Sequence, residues 1–312
     1  MNGIDNQQAF YFLLQAGLWN KEVHQRVDEV FDCLEIYRLA EEQSVLGLVI
    51  VGLEKSDIKP PQALLLQWIG EVQMLEQRNK AMNKFIGTLV DKLRMADVYT
   101  LLVKGQGVAQ CYQNPLWRAC GDVDLLLSEK NYKKANSILS MMASSIDEEN
   151  HYNKHIAMTI DDWTVELHGT LRSGLWKKLD RELNKVQRSV FYEGKVRSWM
   201  NGNTQVFLPA PDEDVVFVFS HILQHFYKEG IGLRQICDWC RLIWTYKDSL
   251  DLRLLESRIR KMGVMSEWKA FAALAVDYLG MPFEAMPFYS DDKKWKRKAV
   301  RVMEFGKHPT PF

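Results

Sequence analysis

Apolar residues recur every three or four positions along the first third of this chain. Ala9, Phe10, Phe12, Leu13, Leu14 and Leu18 form one such face, and Val27, Val30, Phe31, Leu34 and Tyr37 form another. Residues 6 to 58 therefore read as helices. The stretch Ser56-Asp57-Ile58-Lys59-Pro60-Pro61 interrupts the pattern. A helical period then runs without internal proline from Gln62 to about Ala96, marked by Leu65, Ile69, Val72, Leu75, Met82, Phe85, Leu89 and Leu93.

The period changes near residue 98. Runs at 99–103, 121–127, 155–160 and 163–168 read as strands, and Asp161-Asp162 turns the last two into a hairpin. Arg188–Tyr192 and Gln205–Leu208 are further strand-like runs, and helices are expected over 105–112 and 129–142. Pro209-Ala210-Pro211 closes the mixed region, with Asp212 as a cap for the next helix. From Glu213 to about Gly280 the pattern is helical again, with breaks near Glu229-Gly230, Asp248-Ser249 and Met262-Gly263. The expected organisation is a helical region over 1–97, an α/β core over 98–210 and a second helical region over 211–312. The fold class is α+β, with a small mixed sheet flanked by helices.

The chemistry concentrates in the core. In Gly121-Asp122-Val123-Asp124-Leu125-Leu126-Leu127, the two carboxylates sit two residues apart on a strand, so they share a face. The apolar run that follows argues for a largely buried strand rather than a solvated loop. Two adjacent like charges there call for a cation between them. Mg²⁺ suits the task, because it prefers oxygen ligands and is held by one or two carboxylates plus substrate phosphates. Upstream, Tyr99–Val103 runs into Lys104-Gly105-Gln106-Gly107 and then a helix-like stretch. Strand, glycine turn and helix N-terminus together favour an anion, with Gly105 and Gly107 letting backbone approach a phosphate. Lys104 and Arg118 add positive charge on either side. Downstream, Trp163–His168 alternates, so Glu166 and His168 share one face and supply a third carboxylate on a neighbouring strand. Asp-x-Asp and Gly-x-Gly are each weak signals alone; their order along one chain with Arg118 and Glu-x-His is what makes a site.

At these motifs the chain resembles the uncharacterised nucleotidyltransferase family of the DNA polymerase β-like superfamily. The segment VKGQGVAQCYQNPLWRACGDVDLLL (Val103 to Leu127) carries the likeness. It extends to Val165–His168, to Ser220-His221 through His225, and to Gly232-Leu233-Arg234 through Asp238. The resemblance implies a mixed sheet with flanking helices, a divalent metal (Mg²⁺ or Mn²⁺) and a nucleoside triphosphate (NTP) such as ATP. It implies Asp122 and Asp124 as metal ligands, Glu166 as the third acidic position, and Gly105 and Gly107 as the phosphate-facing turn. Arg234 and Asp238 become residues of the nucleotide cleft, although four-residue spacing also lets them pair with each other. The same spacing puts His221 and His225 on one helix face, either packing or lining the cleft. The chain departs from the superfamily at Gly105-Gln106-Gly107, where a Gly-Ser pair is usual.

The implied reaction is transfer of a nucleoside monophosphate from the NTP to an acceptor, with release of pyrophosphate. Glu166 would complete a second metal position or act as base, and His168 would orient Glu166 or meet the acceptor. Acceptor candidates are a small hydroxylated or amino compound, a sugar, a protein side chain or an RNA end, the last weakened by zero net charge. Three other readings remain: a phosphoryl-transfer enzyme of kinase type, a nucleotide-binding regulatory module without catalysis, and a purely structural helical protein.

Bulk properties narrow the field only a little. With 312 residues, of which 47% are hydrophobic, the chain is long enough to bury a sizeable core. Forty basic and 40 acidic residues give zero net charge, which argues against a general nucleic-acid binder. Met1–Asp5 lacks the basic start of an export signal, and no run approaches the roughly 18 apolar residues of a membrane span. A cytoplasmic location without membrane association is expected. The five cysteines are expected to be free thiols, including the Cys237-Asp238-Trp239-Cys240 pair, which lacks a second pair of metal ligands. The basic run Lys293–Lys298 reads as a solvated helix face.

Overall fold

The computed structural model describes residues 6–22 and 32–305. Val27, Val30 and Phe31 of the second expected apolar face lie outside these. The chain opens with α1 (Asn6–Trp19), α2 (Cys33–Glu42), α3 (Leu46–Glu54) and the 34-residue α4 (Gln62–Met95). The mixed region follows with β1 (Thr100–Val103), the short α5 (Gly105–Ala109), β2 (Asp122–Leu127), α6 (Glu129–Ser140) and the two-residue β3 (Ser145–Ile146). Next come β4 (His155–Ile160), β5 (Trp163–His168), α7 (Lys177–Tyr192), β6 (Val196–Asn201) and β7 (Thr204–Pro209). The remainder is α8 (Pro211–Lys228), α9 (Leu233–Tyr246), α10 (Leu252–Met262), α11 (Met265–Asp277) and α12 (Lys293–Phe305). No helix among the described residues is long and apolar enough to cross a membrane.

The seven strands form one mixed sheet in the order β3-β4-β5-β2-β1-β7-β6. β2 lies parallel to β5 and antiparallel to β1. The hairpin β4–β5 turns at Asp161-Asp162, where Asp161 takes a left-handed φ of 52°. Alternation then sorts the side chains. Val123, Leu125 and Leu127 of β2, with Val165 and Leu167 of β5, pack beneath α4 against Met82, Ile86, Leu89 and Leu93. The opposite face contributes Leu101, Val103 and Leu126 to a larger core with the N- and C-terminal helices. Phe219, Trp239, Trp268 and Phe271 form a buried aromatic cluster within that core.

Some local expectations need correction; Asp212, expected as a cap, lies in the first turn of α8, whose N-cap is Ala210. Arg188–Tyr192 is not a strand but the last turns of α7. Its β-branched and aromatic residues invite a strand reading, yet the buried positions Leu179, Leu183, Val186 and Val190 follow a helical period. The helix expected over 105–112 stops at Ala109, one turn long, so little dipole accumulates at its start. β6 and β3 carry no clear alternation and were not anticipated; both are edge strands with half-exposed or exposed residues.

Candidate active site

The strand register builds the site. Asp124 stands beside Glu166 across β2–β5, and Val103, the residue before Lys104, stands beside Asp124 across β1–β2. On β4–β5, His155 stands opposite His168. Asp122, Asp124, Glu166, His155 and His168 therefore all rise on one sheet face. They floor a cleft of about 500 Å³ whose opposite wall comes from α8 and α9, with His221, His225, Lys228 and Arg234.

One ligand atom from each of Asp122, Asp124 and Glu166 lies within 4.8 Å of the others. Burial, then the neighbouring charge of Asp124, pushes the Asp122 carboxyl up from its ordinary value. Crowded oxygens of like charge are what a divalent cation relieves, so this trio fits a hard metal ion. In this structure Lys104 supplies part of the counter-charge, with Nζ 2.7 Å from Asp124 Oδ1. Burial disfavours the Lys104 ammonium, but Asp124, Glu166 and Asp122 outweigh that and hold its pKa above the usual lysine value. Lys104 thus lines the cleft while its ammonium pairs with the Asp124 carboxylate. Its backbone is strained, with φ 57° and ψ −148°, a combination seldom adopted outside glycine.

Two histidines hold Glu166. His155 Nε2 lies 3.1 Å from Glu166 Oε2, and His168 Nε2 lies 3.4 Å from it. Those contacts keep the Glu166 carboxyl well below the usual carboxylate range. His168 Nε2 is also 2.7 Å from Asp124 Oδ1. Burial works against a charge on His168, and its bonds to Asp124 and Glu166 prevail, raising its pKa above the ordinary value. On the far wall His225 Nε2 lies 3.0 Å from His221 Nε2, and His225 Nδ1 is 3.0 Å from Glu229. Burial, and then the Lys104 charge, lowers both histidines from their ordinary values, His221 strongly.

Several expected site residues also make structural contacts. Arg118 reaches the cleft lining but donates to Asp238 through Nε at 3.0 Å and Nη2 at 2.5 Å, in a buried two-point pair. Tyr112 donates its hydroxyl to the same carboxylate at 2.8 Å. Arg118 and Asp238 are thereby occupied with each other, and Arg234 and Asp238, which their spacing would let pair, do not. Arg234 instead donates to Ala119 O at 3.0 Å from the cleft wall. Gly107 is not among the residues lining the cleft; a Cβ there would meet Leu208 Cδ2 at 2.8 Å, so packing against β7 explains this glycine. Gly105 does line the cleft and has φ +41°, which a side chain would strain.

The departure at Gln106 also has a structural reason. Its side chain turns inward, and Nε2 donates to Asn79 Oδ1 of α4 at 2.8 Å. Asn79 Nδ2 donates onward to Leu116 O and Arg118 O. A buried amide pair thus ties α4, the turn and the segment before β2 together.

Sequence reasoning missed His155 and Asn79. His155 was legible in principle: a two-residue turn at 161–162 fixes the register that sets it opposite His168. Asn79 gave no signal, being one polar residue in a long helix. Cys237 and Cys240 are buried free thiols whose pKa values burial pushes up, and no metal-ligand group among the described residues includes them.

The mixed sheet thus sets Asp-x-Asp beside a third carboxylate on the floor of a polar cleft. The chain belongs to the uncharacterised nucleotidyltransferase family, whose model matches residues 29–280. Membership supports a nucleotidyl-transfer role and makes the chain a transferase by class. Among solved structures it is similar to an antigenic nucleotidyltransferase-like protein from Paracoccidioides brasiliensis, with a TM-score of 0.36 and 13% identity. That similarity covers 59% of this chain and 90% of the other. No curated protein matches the sequence.

Proposed function

We propose that this chain is a metal-dependent nucleotidyltransferase that moves a nucleoside monophosphate from an NTP to a hydroxyl- or amine-bearing acceptor, releasing pyrophosphate. The observation that carries this reading is the convergence of Asp122, Asp124 and Glu166 within 4.8 Å on the floor of the cleft. Asp122 and Asp124 would hold Mg²⁺ or Mn²⁺, with Glu166 as a third ligand. Once bound, the metal supplies Lewis-acid stabilisation of the charge on the triphosphate.

The protein's own groups then divide the remaining tasks. His155 and His168 fix Glu166 in one orientation and keep it ionised, which suits a ligand. A general base works best with a pKa near the operating pH, so Glu166 is poorly matched to the role of base. Lys104 steadies Asp124 and offsets negative charge under the phosphates. Of the arginines lining the cleft, Arg234 is assigned to phosphate oxygens, since its planar fork can grip two of them. The Gly105 backbone, bare of a side chain, lets phosphate approach closely.

Product analysis with each NTP and Mg²⁺ tests the reaction class. Pyrophosphate release in the presence of acceptor supports nucleotidyl transfer. Release of the nucleoside diphosphate would assign the cleft to kinase chemistry instead.

A further inference from the structure

The cleft floor contains a second donor set whose chemistry differs from the carboxylate trio. His155 Nε2, Glu166 Oε2 and His168 Nε2 come from two adjacent strands, and one ligand atom from each lies within 4.8 Å of the others. The two rings are 4.9 Å apart between centroids and inclined at 44°; both bring Nε2 to Glu166 Oε2, and His168 Nε2 also lies 2.7 Å from Asp124 Oδ1. Ligands about 2.1 Å from a shared tetrahedral centre stand about 3.4 Å apart. The observed His155–Glu166 and His168–Glu166 separations of 3.1 and 3.4 Å match that spacing. All three residues line the cleft, so an ion has a route from solvent.

Donor type sorts the two groups. Asp122, Asp124 and Glu166 offer only oxygen, the preference of Mg²⁺, whereas two imidazoles and a carboxylate favour a transition metal such as Zn²⁺ or Co²⁺. Glu166 belongs to both groups and stands between them. We propose that His155, Glu166 and His168 form a transition-metal site, with Glu166 as a carboxylate shared with the neighbouring all-oxygen position. Imidazole binds a metal through an unprotonated nitrogen, so the ion takes the place of the hydrogen-bonding protons between these groups and the protons pass to solvent. The site needs no nucleotide, and it shares Glu166 with the proposed transfer centre.

Co²⁺ titration of the full chain without nucleotide tests it, followed by visible absorption and by displacement with Zn²⁺. One Co²⁺ per chain with ligand-field bands, displaced by Zn²⁺, is the expected result. His155→Gln and the double variant with His168→Gln should weaken binding by more than about 100-fold, the upper end seen when only outer-shell partners of a metal site are changed. Asp122→Asn, outside this donor set, should keep the bands. Circular dichroism confirms folding of each variant, and half-buried His155 gives a single change that spares the core. No uptake of Co²⁺ or Zn²⁺ by the wild type would overturn the proposal. So would bands unchanged in a folded histidine variant; the cluster would then be a hydrogen-bonded clamp on Glu166 only. Co²⁺ binding by a chain that binds no NTP would defeat the transferase reading while leaving this site standing, and the reverse pattern would do the opposite.

Discussion

Asp122 and Asp238 are both acidic, yet their surroundings give them opposite roles. Burial, and then the charge of Asp124 beside it, raises the pKa of half-buried Asp122. Asp122→Asn removes that repulsion, so the variant should melt at the wild-type temperature or above while losing Mg²⁺-dependent nucleotide binding, as differential scanning calorimetry and titration would show. A lower Tm would mean that Asp122 is a structural residue. Asp238 accepts from Arg118 and Tyr112 in the interior. Asp238→Asn leaves the Arg118 guanidinium buried without its counter-charge and should destabilise the fold by about 3–5 kcal/mol in urea unfolding. A change under about 1 kcal/mol would show that the pair contributes little. From sequence alone both aspartates read as cleft residues. Spacing reveals which residues share a helix or strand face, but not that Arg118, 120 positions away, is the partner of Asp238.

At the level of elements, the β2–β5 floor was readable because alternation is a local property: Asp-x-Asp, Glu-x-His and the leucines between them declare their faces unaided. The wall built by α8 and α9 was less so, since its distance from the floor depends on long-range packing around Phe219 and Trp239. His221 on α8 illustrates the consequence. Burial and the Lys104 charge across the cleft depress its folded pKa strongly below the roughly 6.5 of an unfolded histidine. The unfolded chain therefore takes up the proton first. Stability from keeping His221 neutral is present above about pH 6.5 and is lost as pH falls from there toward the folded value. Metal-free protein should lose urea resistance between about pH 7 and pH 5, and His221→Gln should flatten part of that slope. An identical slope in the variant would contradict the assignment. The turn at Gln106 was legible only as a departure from pattern. Its partner, Asn79 on α4, is 27 residues away, and that contact makes the glutamine intelligible.

Across the whole molecule, two cores on opposite faces of one sheet hold a polar floor against a helical wall, with Glu166 fixed by two histidines and Asp124 by Lys104. That arrangement is a preorganised polar cleft, and on the proposed function nucleotide binding to it should stabilise the folded chain by mass action. The central claim is tested most directly by calorimetric titration of ATP, GTP, CTP and UTP into the purified protein, with and without Mg²⁺, beside the double variant Asp122→Asn/Asp124→Asn. The account predicts Mg²⁺-dependent binding of at least one triphosphate that the folded double variant loses. Absence of binding to every triphosphate in both Mg²⁺ and Mn²⁺, or binding that the double variant retains, would contradict it.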